Sequence, residues 1–290
     1  MPDPDGQPEM TRYLMTVAYD GSAFHGWQKQ EPPGSEPLRT VQGVLEDALV
    51  RLLRTPRDVL GLTGASRTDT GVHAEGQRAM FDAATPIPVE RLHQAITSRL
   101  PEDVEVRAVE LVASDFDVIG DVTSKQYRYR LWTRPARPLG VRHLVYPCIY
   151  ELDLDRMNDA TARLVGTHDL EGLANAGHGR TTTVRTVHGC RVEPGPNDEL
   201  HIVVSGSGFL YNTVRILAGT LVEVGRGHFE PSRMDEILVS GDRALAGPTL
   251  TPNGLCLEWI AYREADLTPR RQDAKTPRKA ESYGGVDNVV

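Results

Sequence analysis

A cation, a carboxylate and an imidazole lie within eight residues of this chain, Arg67-Thr68-Asp69-Thr70-Gly71-Val72-His73-Ala74. Gly71 can adopt the positive φ that other residues resist, so the pattern predicts a chain reversal just after the acid. Arg67 and His73 flank Asp69, and cationic neighbours favour the ionised form of a carboxylate. An ionised carboxylate on a tight loop can be a nucleophile, a metal ligand or a turn-former. Taken alone, this stretch leaves the three roles open.

The composition is that of an ordinary globular protein of one large or two modest domains. The 290 residues are 39% hydrophobic and 25% charged, and no apolar run approaches the roughly 20 residues of a membrane span. The acidic, Pro-rich start is unlike a secretory signal. Cys148, Cys190 and Cys256 have neither zinc-site spacing nor the pattern of a disulfide framework. We therefore expect a cytoplasmic protein that does not enter the membrane.

The net charge of −8 argues weakly against a nucleic-acid partner. Binding depends, however, on where the cations cluster. Residues 124–134 interleave lysine and arginine with aromatic side chains, whereas acidic residues are grouped elsewhere, as in residues 1–10 and 151–155. An acidic protein with one basic cleft is therefore consistent with the sequence.

Strand and helix patterns alternate along the whole chain. Strands are predicted at residues 12–19, 58–63, 77–81, 104–109, 127–132, 141–150, 181–193, 200–204 and 255–262. Helices are predicted after the Thr40 cap, from Pro88, from Leu154 to near Gly166, from Leu210 to Val224, and after the Ser232 cap. Two successive β-α-β arrangements predict an α+β protein with two related halves, each a sheet covered by helices.

The predicted domain organisation follows the same patterns. An N-terminal half covers residues 11–115 and carries the Asp69 loop, and a C-terminal half covers residues 116–263. Residues 1–10 are expected to be a disordered leader, and residues 264–290 a flexible tail without periodicity.

Four polar, Gly-rich segments with aromatic residues carry a resemblance to a known family. They are residues 19–30 (YDGSAFHGWQKQ), 64–77, 125–132 and 206–215 (GSGFLYNTVR). Together with Val41-Gln42 and Gly225-Arg226-Gly227, they resemble the TruA family of tRNA pseudouridine synthases in order and spacing. The resemblance extends from about Arg12 to Tyr262, which is nearly the whole globular part.

The resemblance implies a specific activity and fold. Such enzymes isomerise uridine to pseudouridine at positions 38, 39 and 40 in the anticodon arm of tRNA. They use no metal or cofactor and act as homodimers. Each half has an RRM-like (ferredoxin-like) fold, and the two halves form a pseudouridine-synthase fold with a mainly antiparallel sheet and a central cleft. Carried onto this chain, the catalytic aspartate is Asp69, the base-contacting tyrosine is Tyr127, and the arginine paired with the acid is Arg215.

The chemistry of the reaction is consistent with these residue types. The C1′–N1 bond must break, the uracil must turn, and C1′ must rejoin the ring at C5. A carboxylate at Asp69 can attack either uracil C6 or C1′ without a separate base. A cation at Arg215 would lower the pKa of Asp69 and fix its rotamer. The ring of Tyr127 can stack on a flipped base, which is worth roughly 1–3 kcal/mol; which group removes the C5 proton stays open.

Further candidate residues surround these three. Arg67 and Thr68 either fix the loop or contact phosphate, and His73 could bind a metal together with Asp69, although no further ligand cluster is evident. Candidates for a phosphate-binding surface are Arg78, Lys125, Arg128 and Arg130. Without the resemblance, Tyr127 and Tyr129 would be ordinary strand residues.

Departures from the family pattern put the exact set of uridines in more doubt than the reaction. Many relatives carry H-D-F-x-x-F where this chain has the sequence HDLEGL at 168–173, and Thr70 replaces the commoner alanine. A Pro-rich insertion occupies residues 31–37. Two other functions remain open at this point. One is a non-catalytic tRNA-binding or tRNA-folding protein on the same scaffold, and the other is a nucleosidase that releases free uracil.

Overall fold

The structure is a computed structural model that describes residues 10–31, 34, 36–175 and 181–267. The predicted leader, apart from Met10, lies outside the described residues. So does the predicted tail beyond Leu267, and so do residues 32, 33 and 35 of the Pro-rich insertion.

A single sheet runs through the described residues. Its strands are β1 (Thr11–Tyr19), β2 (Thr63–Gly64), β3 (His73–Ala83), β4 (Val104–Leu111), β5 (Val122–Trp132), β6 (Tyr146–Pro147), β7 (Gly166–Asp169), β8 (Val184–Pro194), β9 (Glu199–Gly206) and β10 (Leu255–Tyr262). The order is β4-β1-β3-β10-β5-β9-β8-β7, with β2 beside β3 and β6 beside β5. The β3–β10 and β5–β6 pairs are parallel, and the others are antiparallel. The predicted α+β class with a mainly antiparallel sheet is therefore confirmed.

Helices connect these strands. They are α1 (Val41–Leu53), α2 (Arg57–Leu60), α3 (Val89–Thr97), α4 (Leu154–Leu164), α5 (Thr213–Gly225), α6 (Arg233–Ser240) and α7 (Glu264–Leu267). The predicted cap of α1 is confirmed, because the Thr40 hydroxyl accepts the backbone N–H of Gly43 at 3.3 Å. Ser232 precedes α6 but makes no capping hydrogen bond. No helix within the described ranges is long and apolar enough to cross a membrane.

The strand predicted at residues 58–63 is largely wrong, because the first half of this segment lies in the one-turn helix α2 and only Thr63 lies in a strand, β2. Pro56 precedes the helix with an extended backbone, and Asp58 lies in its first turn, where a negative charge is favourable. Gly61 then ends the helix in the left-handed conformation, with φ of 56°. Local start and stop signals therefore outweigh the β-branched character of the segment.

The strand predicted at residues 141–150 is also largely wrong. Only β6 pairs with the sheet in this segment, beside β5. The residues before it form consecutive turns, in which Val141 N–H donates to the Pro138 carbonyl at 3.0 Å and Leu144 N–H donates to the Val141 carbonyl at 2.8 Å. The backbone is satisfied within the turns, so it gains nothing from a longer ladder.

The strand β10 lies in the middle of the sheet and joins the two predicted halves. Leu257 on this strand pairs with Ala74 of β3 on one side and with Tyr127 of β5 on the other. The loop that precedes β3 is thereby brought beside the centre of β5. The sheet is continuous across the predicted boundary between residues 115 and 116, and that boundary stays a prediction.

The helix α5 packs against both β5 and α4. Nearly all of its residues are buried, as expected for a helix that is apolar all round and lies in the core. The first turn of α5 follows the segment after β9. It lies near the Asp69 loop, since Arg215 of this turn and Asp69 line the same cavity. The central strands and the start of α5 therefore define the place where the candidate site lies.

Candidate active site

The loop between β2 and β3 carries Asp69, and its backbone is tightly held. Gly71 has φ of 79°, which confirms the predicted reversal. Val72 N–H donates to the carbonyl of Asp69 at 3.1 Å. Trp27 N–H donates to the carbonyl of Thr68 at 3.0 Å. The segment before α1 therefore supports the loop from outside.

Gly26 is a point where this support tolerates no side chain. It has φ of 84°, and a Cβ added there would lie 2.6 Å from the carbonyl oxygen of Thr68. We expect Gly26→Ala to lower both the melting temperature and kcat, because the Asp69 loop must move to relieve the contact. The matched control is Gly227→Ala, since Gly227 has φ of 77° but no atom within 4 Å of its added Cβ.

The control variant should show only the cost of positive φ, roughly 1–2 kcal/mol of unfolding free energy. Thermal denaturation and single-turnover rates would be measured for both variants. If Gly26→Ala behaved like Gly227→Ala in both measurements, the proposed support of the loop would be incorrect.

Two further contacts fix the loop on its inner side. The amide of Gln77, which is fully buried, accepts the N–H of Ser66 at 3.2 Å and donates to the carbonyl of Ser66 at 2.6 Å. The hydroxyls of Thr68 and Tyr19 lie 2.7 Å apart in a buried hydrogen bond. Thr68 therefore holds the loop. Sequence reasoning missed Gln77 and Tyr19 as supporting residues, although both lie within the segments that carry the resemblance.

A cavity of about 830 Å³ opens beside this loop. It is bounded by the loop, by β5 and by the segment that leads into α5. Its lining includes Gln28, Ser66, Arg67, Thr68, Asp69, Ile119, Lys125, Tyr127, Phe209, Tyr211 and Arg215. The three predicted catalytic residues, which lie far apart in the sequence, therefore meet in one cavity.

Arg215 is held near Asp69 by other groups. Its Nε donates to the carbonyl of Leu250 at 2.7 Å, and its Nη1 donates to the side-chain oxygen of Asn212 at 2.7 Å. Nη1 lies 3.9 Å from Oδ2 of Asp69, which is beyond hydrogen-bond distance. Asn212 occupies the N-cap position of α5 with φ of 63° and makes no capping bond. It orients Arg215 instead, and sequence reasoning missed it.

The environment of Asp69 differs from the expectation of a lowered pKa. Burial raises the pKa of Asp69 above its ordinary value, and the nearby Arg215 cation opposes this shift without cancelling it. The side chain of Asp69 is 34% exposed and that of Arg215 is 16% exposed. Arg67 points to the surface, and burial lowers the pKa of His73, which disfavours its cationic form. The two flanking residues therefore do little to stabilise the ionised form of Asp69, on which Arg215 is the cation that acts.

Tyr127 lines the cavity from β5. It is 7% exposed, and its ring meets the ring of Phe209 edge-on at a centroid distance of 5.6 Å. Its hydroxyl lies 2.9 Å from the hydroxyl of Ser66. Burial raises the pKa of Tyr127 to about 12, although the Ser66 hydrogen bond opposes the shift. The phenol therefore keeps its proton at neutral pH.

The other predicted binding residues divide into two groups. Arg67, Thr68 and Lys125 line the cavity. The remaining four, His73, Arg78, Arg128 and Arg130, do not line it. The Nδ1 atom of His73 accepts the N–H of Gly21 at 3.1 Å. Within the described residues, no three His, Cys, Asp or Glu side chains are grouped as metal ligands.

The three arginines outside the cavity are engaged in ion pairs. Arg78 pairs with Glu110. Arg128 lies 3.0 Å from Glu258, and Arg130 lies 2.8 Å from Glu199. The side chain of Glu199 is fully buried, and removing one partner of such a pair is costly. These ion pairs compensate the charges of the three arginines within the sheet.

Gln42 is a further residue near the cavity that sequence reasoning did not assign. Its side-chain oxygen accepts the backbone N–H of Lys29 at 3.0 Å and the side-chain amide of Gln28 at 2.9 Å. Its own amide donates to the carbonyl of Leu62 at 2.9 Å. Gln42 thereby fixes Gln28, which lines the cavity. The Val41-Gln42 pair could have indicated this role, but it contributed only to the resemblance to the family.

Comparisons with known proteins identify the family of this chain. The sequence model of a family described as tRNA pseudouridine synthase matches residues 15–119 and 160–263. The chain is 38% identical over 253 residues to tRNA pseudouridine synthase A of Caldicellulosiruptor saccharolyticus, covering 87% of this chain and 100% of the relative. It is 39% identical over 257 residues to the protein of that name from Streptococcus pneumoniae serotype 19F, covering 88% and 100%. The chain therefore belongs to the tRNA pseudouridine synthases, a family of isomerases.

Proposed function

We propose that this protein isomerises uridine to pseudouridine at positions 38, 39 and 40 in the anticodon stem-loop of tRNA, with Asp69 as the nucleophile. Isomerisation of tRNA uridine follows from membership of the family. The single observation that supports the finer assignment is the convergence of Asp69, Arg215 and Tyr127 on one cavity. The positions in tRNA rest on the resemblance.

The cavity suits a uridine that has left its helix. Its volume of about 830 Å³ falls within the usual range for small-molecule sites. The buried ring of Tyr127 offers a face for the base, and stacking on an aromatic ring offsets the cost of flipping. Partial enclosure also limits the access of water, which would otherwise convert a cleaved intermediate into an abasic site.

Asp69 then supplies the nucleophile. Its carboxylate attacks C6 or C1′, the C1′–N1 bond breaks, the uracil turns, and C1′ joins C5. Arg215 acts on this carboxylate by charge rather than by a direct hydrogen bond, since the two groups are 3.9 Å apart. The reaction conserves every atom and the oxidation state, so the proposal includes no metal or cofactor.

The partner and location form part of the same proposal. The substrate is the anticodon arm of tRNA, and exposed Arg67 with Lys125 supplies positive charge at a cavity in a protein of net charge −8. A homodimer is proposed on the resemblance alone. A cytoplasmic location is supported by Cys148, Cys190 and Cys256, which are all free thiols.

The charge of Arg215 should determine the acid limb of the pH profile. Asp69 must be deprotonated to act, so kcat/KM falls as the pH drops through its pKa, which burial places above its ordinary value. Removing the cation in Arg215→Gln removes the opposing effect and raises that pKa further. We therefore expect the acid limb of Arg215→Gln to lie at higher pH than that of wild type, in addition to a general loss of rate.

Profiles of kcat/KM from about pH 3.5 to about pH 8, a range that begins below the ordinary pKa of an aspartate, would test this expectation. The control is Arg215→Lys, which keeps the positive charge and should keep the acid limb near its wild-type position. An unchanged acid limb in Arg215→Gln would show that Arg215 does not act on the ionisation of Asp69.

The proposed function itself is tested by mapping pseudouridine in an unmodified tRNA incubated with the purified protein. The matched substrate carries cytidine at positions 38, 39 and 40. Pseudouridine confined to these positions would support the proposal. Free uracil with abasic RNA would favour a nucleosidase, and binding without any change in the RNA would favour a non-catalytic tRNA-binding protein.

A further inference from the structure

A short row of polar side chains connects the catalytic cavity to a lysine. The Nζ atom of Lys125 lies 3.3 Å from the hydroxyl oxygen of Ser66 and 3.4 Å from the carbonyl of Ala65. The hydroxyl of Ser66 lies 2.9 Å from that of Tyr127. All three members of the row, Lys125, Ser66 and Tyr127, line the cavity that holds Asp69.

Donor and acceptor rules fix the direction of the hydrogen bond between Lys125 and Ser66. A protonated ammonium group can only donate, so Ser66 Oγ accepts from Lys125. Either hydroxyl can donate in the contact between Ser66 and Tyr127; because Ser66 accepts from Lys125, its own proton is available for the oxygen of Tyr127. The phenolic proton of Tyr127 is then left to donate into the cavity. Ser66 is held in place for this role by the paired backbone hydrogen bonds to Gln77.

In the proposed reaction, N1 of the uracil gains one proton and C5 loses one proton. Uridine carries hydrogen on C5 and none on N1, whereas pseudouridine carries hydrogen on N1 and none on C5. N1 is bonded to C1′ in uridine, and C5 is bonded to C1′ in pseudouridine. After the uracil has turned, C5 therefore lies where N1 lay before. One group that faces this place can serve both steps.

We propose that Lys125, Ser66 and Tyr127 form a proton relay that protonates N1 as the glycosidic bond breaks and removes the C5 proton after the uracil has turned. This inference rests on the proposed function. Ser66 and Lys125 act through Tyr127 and are therefore positioning residues, whereas Tyr127 contacts the base.

The relay balances when it is written for attack of Asp69 on C1′. The electron pair of the C1′–N1 bond stays on the uracil, and N1 takes the proton of Tyr127. Ser66 reprotonates Tyr127 and is reprotonated by Lys125, which becomes a neutral amine. The C5=C6 electrons then form the C1′–C5 bond and displace the carboxylate of Asp69.

The return of the proton completes the cycle. The electrons of the C5–H bond restore the C5=C6 double bond, and the proton passes to Tyr127. The phenolic proton moves through Ser66 to Lys125, so the enzyme ends in the state in which it began. The same proton count holds for attack at C6. Lysine suits the end of such a relay because its ammonium group can lose a proton, which an arginine in a protein does not.

The test compares substitutions at Lys125 that separate a relay from a phosphate contact. The substrate is tRNA prepared with either hydrogen or deuterium at C5 of uridine, and the readouts are kcat, KM and the isotope effect on kcat. A relay predicts that Lys125→Arg and Lys125→Gln both lower kcat by roughly 10²-fold and raise the isotope effect. A phosphate contact predicts that Lys125→Arg remains near wild type and that Lys125→Gln mainly raises KM.

Substitutions at Ser66 provide a second arm. Ser66→Ala should lower kcat by roughly 10²-fold with unchanged KM and a larger isotope effect, and Ser66→Thr should restore part of the rate. The control is Ser124→Ala. Ser124 lies on β5, as Lys125 and Tyr127 do, but its hydroxyl contacts His188 of β8 and it does not line the cavity.

Two results would overturn the relay. One is an isotope effect that stays at its wild-type value in Ser66→Ala and Lys125→Gln, which would indicate a merely structural role. The other is a Lys125→Arg variant with wild-type kcat. If the wild-type protein made no pseudouridine at all, the proposed function would fail instead, and the two failures are thereby distinguished.

Discussion

Replacing Asp69 by Asn is expected to abolish pseudouridine formation while the protein still folds and binds tRNA. The amide has nearly the same shape as the carboxylate but lacks the charge and nucleophilicity that attack requires. Removing a nucleophile commonly costs several orders of magnitude, so we expect kcat to fall by at least about 10³-fold. The loop should be unaffected, because its hydrogen bonds at Thr68, Asp69 and Gly71 involve main-chain atoms or the Thr68 hydroxyl.

The measurement is position-mapped pseudouridine in tRNA, together with a tRNA-binding isotherm for each protein. The matched control is Asp159→Asn, since Asp159 is an exposed carboxylate on α4 that pairs only with Arg163 at 3.4 Å among the contacts described. If the Asp69→Asn variant retained turnover, Asp69 would be excluded as the nucleophile. Loss of tRNA binding in the same variant would instead indicate a role for the carboxylate in folding or recognition.

Removing the ring of Tyr127 is expected to have the second largest effect. Tyr127→Leu deletes both the face available for stacking, worth roughly 1–3 kcal/mol, and the hydroxyl that contacts Ser66. We expect kcat to fall and KM to rise together. Tyr127→Phe keeps the ring and its contact with Phe209, so it should lower kcat by roughly 10²-fold with little change in KM.

Single-turnover rates over a range of protein concentrations would separate these two effects, and thermal denaturation would report on folding. A suitable control is Tyr13→Phe, because Tyr13 is equally buried and stacks on Phe81 at 5.2 Å but does not line the cavity. Wild-type kcat in Tyr127→Phe would show that the hydroxyl has no part in proton transfer. Wild-type KM in Tyr127→Leu would remove the stacking role.

The sequence predicted best those elements whose signals are local and complete. The helix α1 has a cap at Thr40 and an apolar face at helical spacing, and β10 was predicted with its observed bounds, Leu255–Tyr262. Residues 58–63 and 141–150 have the composition of strands, but a strand forms only if a partner lies beside it. Turn and helix-end signals within these two segments favour a short helix and consecutive turns instead. Composition alone does not account for these signals.

The candidate site depends on long-range geometry that a single sequence does not contain. Nothing in the spacing of Asp69 and Tyr127 shows that Leu257 pairs with strands on both sides. Asn212 fell inside the helix predicted from Leu210, yet in the structure it precedes α5 and its side chain orients Arg215. The direction of the pKa shift of Asp69 was also inaccessible, because it depends on how far burial outweighs a charge 3.9 Å away.

The position of β10 has a consequence for biosynthesis. This strand comes last in the sheet along the chain, yet it lies at the centre, between β3 and β5. A nascent chain can therefore pair the earlier strands within each half, but the parts of β3 and β5 that β10 covers, His73–Ala74 and residues 122–129, lack this partner until Leu255–Tyr262 has left the ribosome. A truncated product that ends before Leu255 would carry Asp69 and Tyr127 without the strand that joins them. The cavity is thus completed only after β10 has been made, and chains that end before it would expose two strand segments that can pair with other chains.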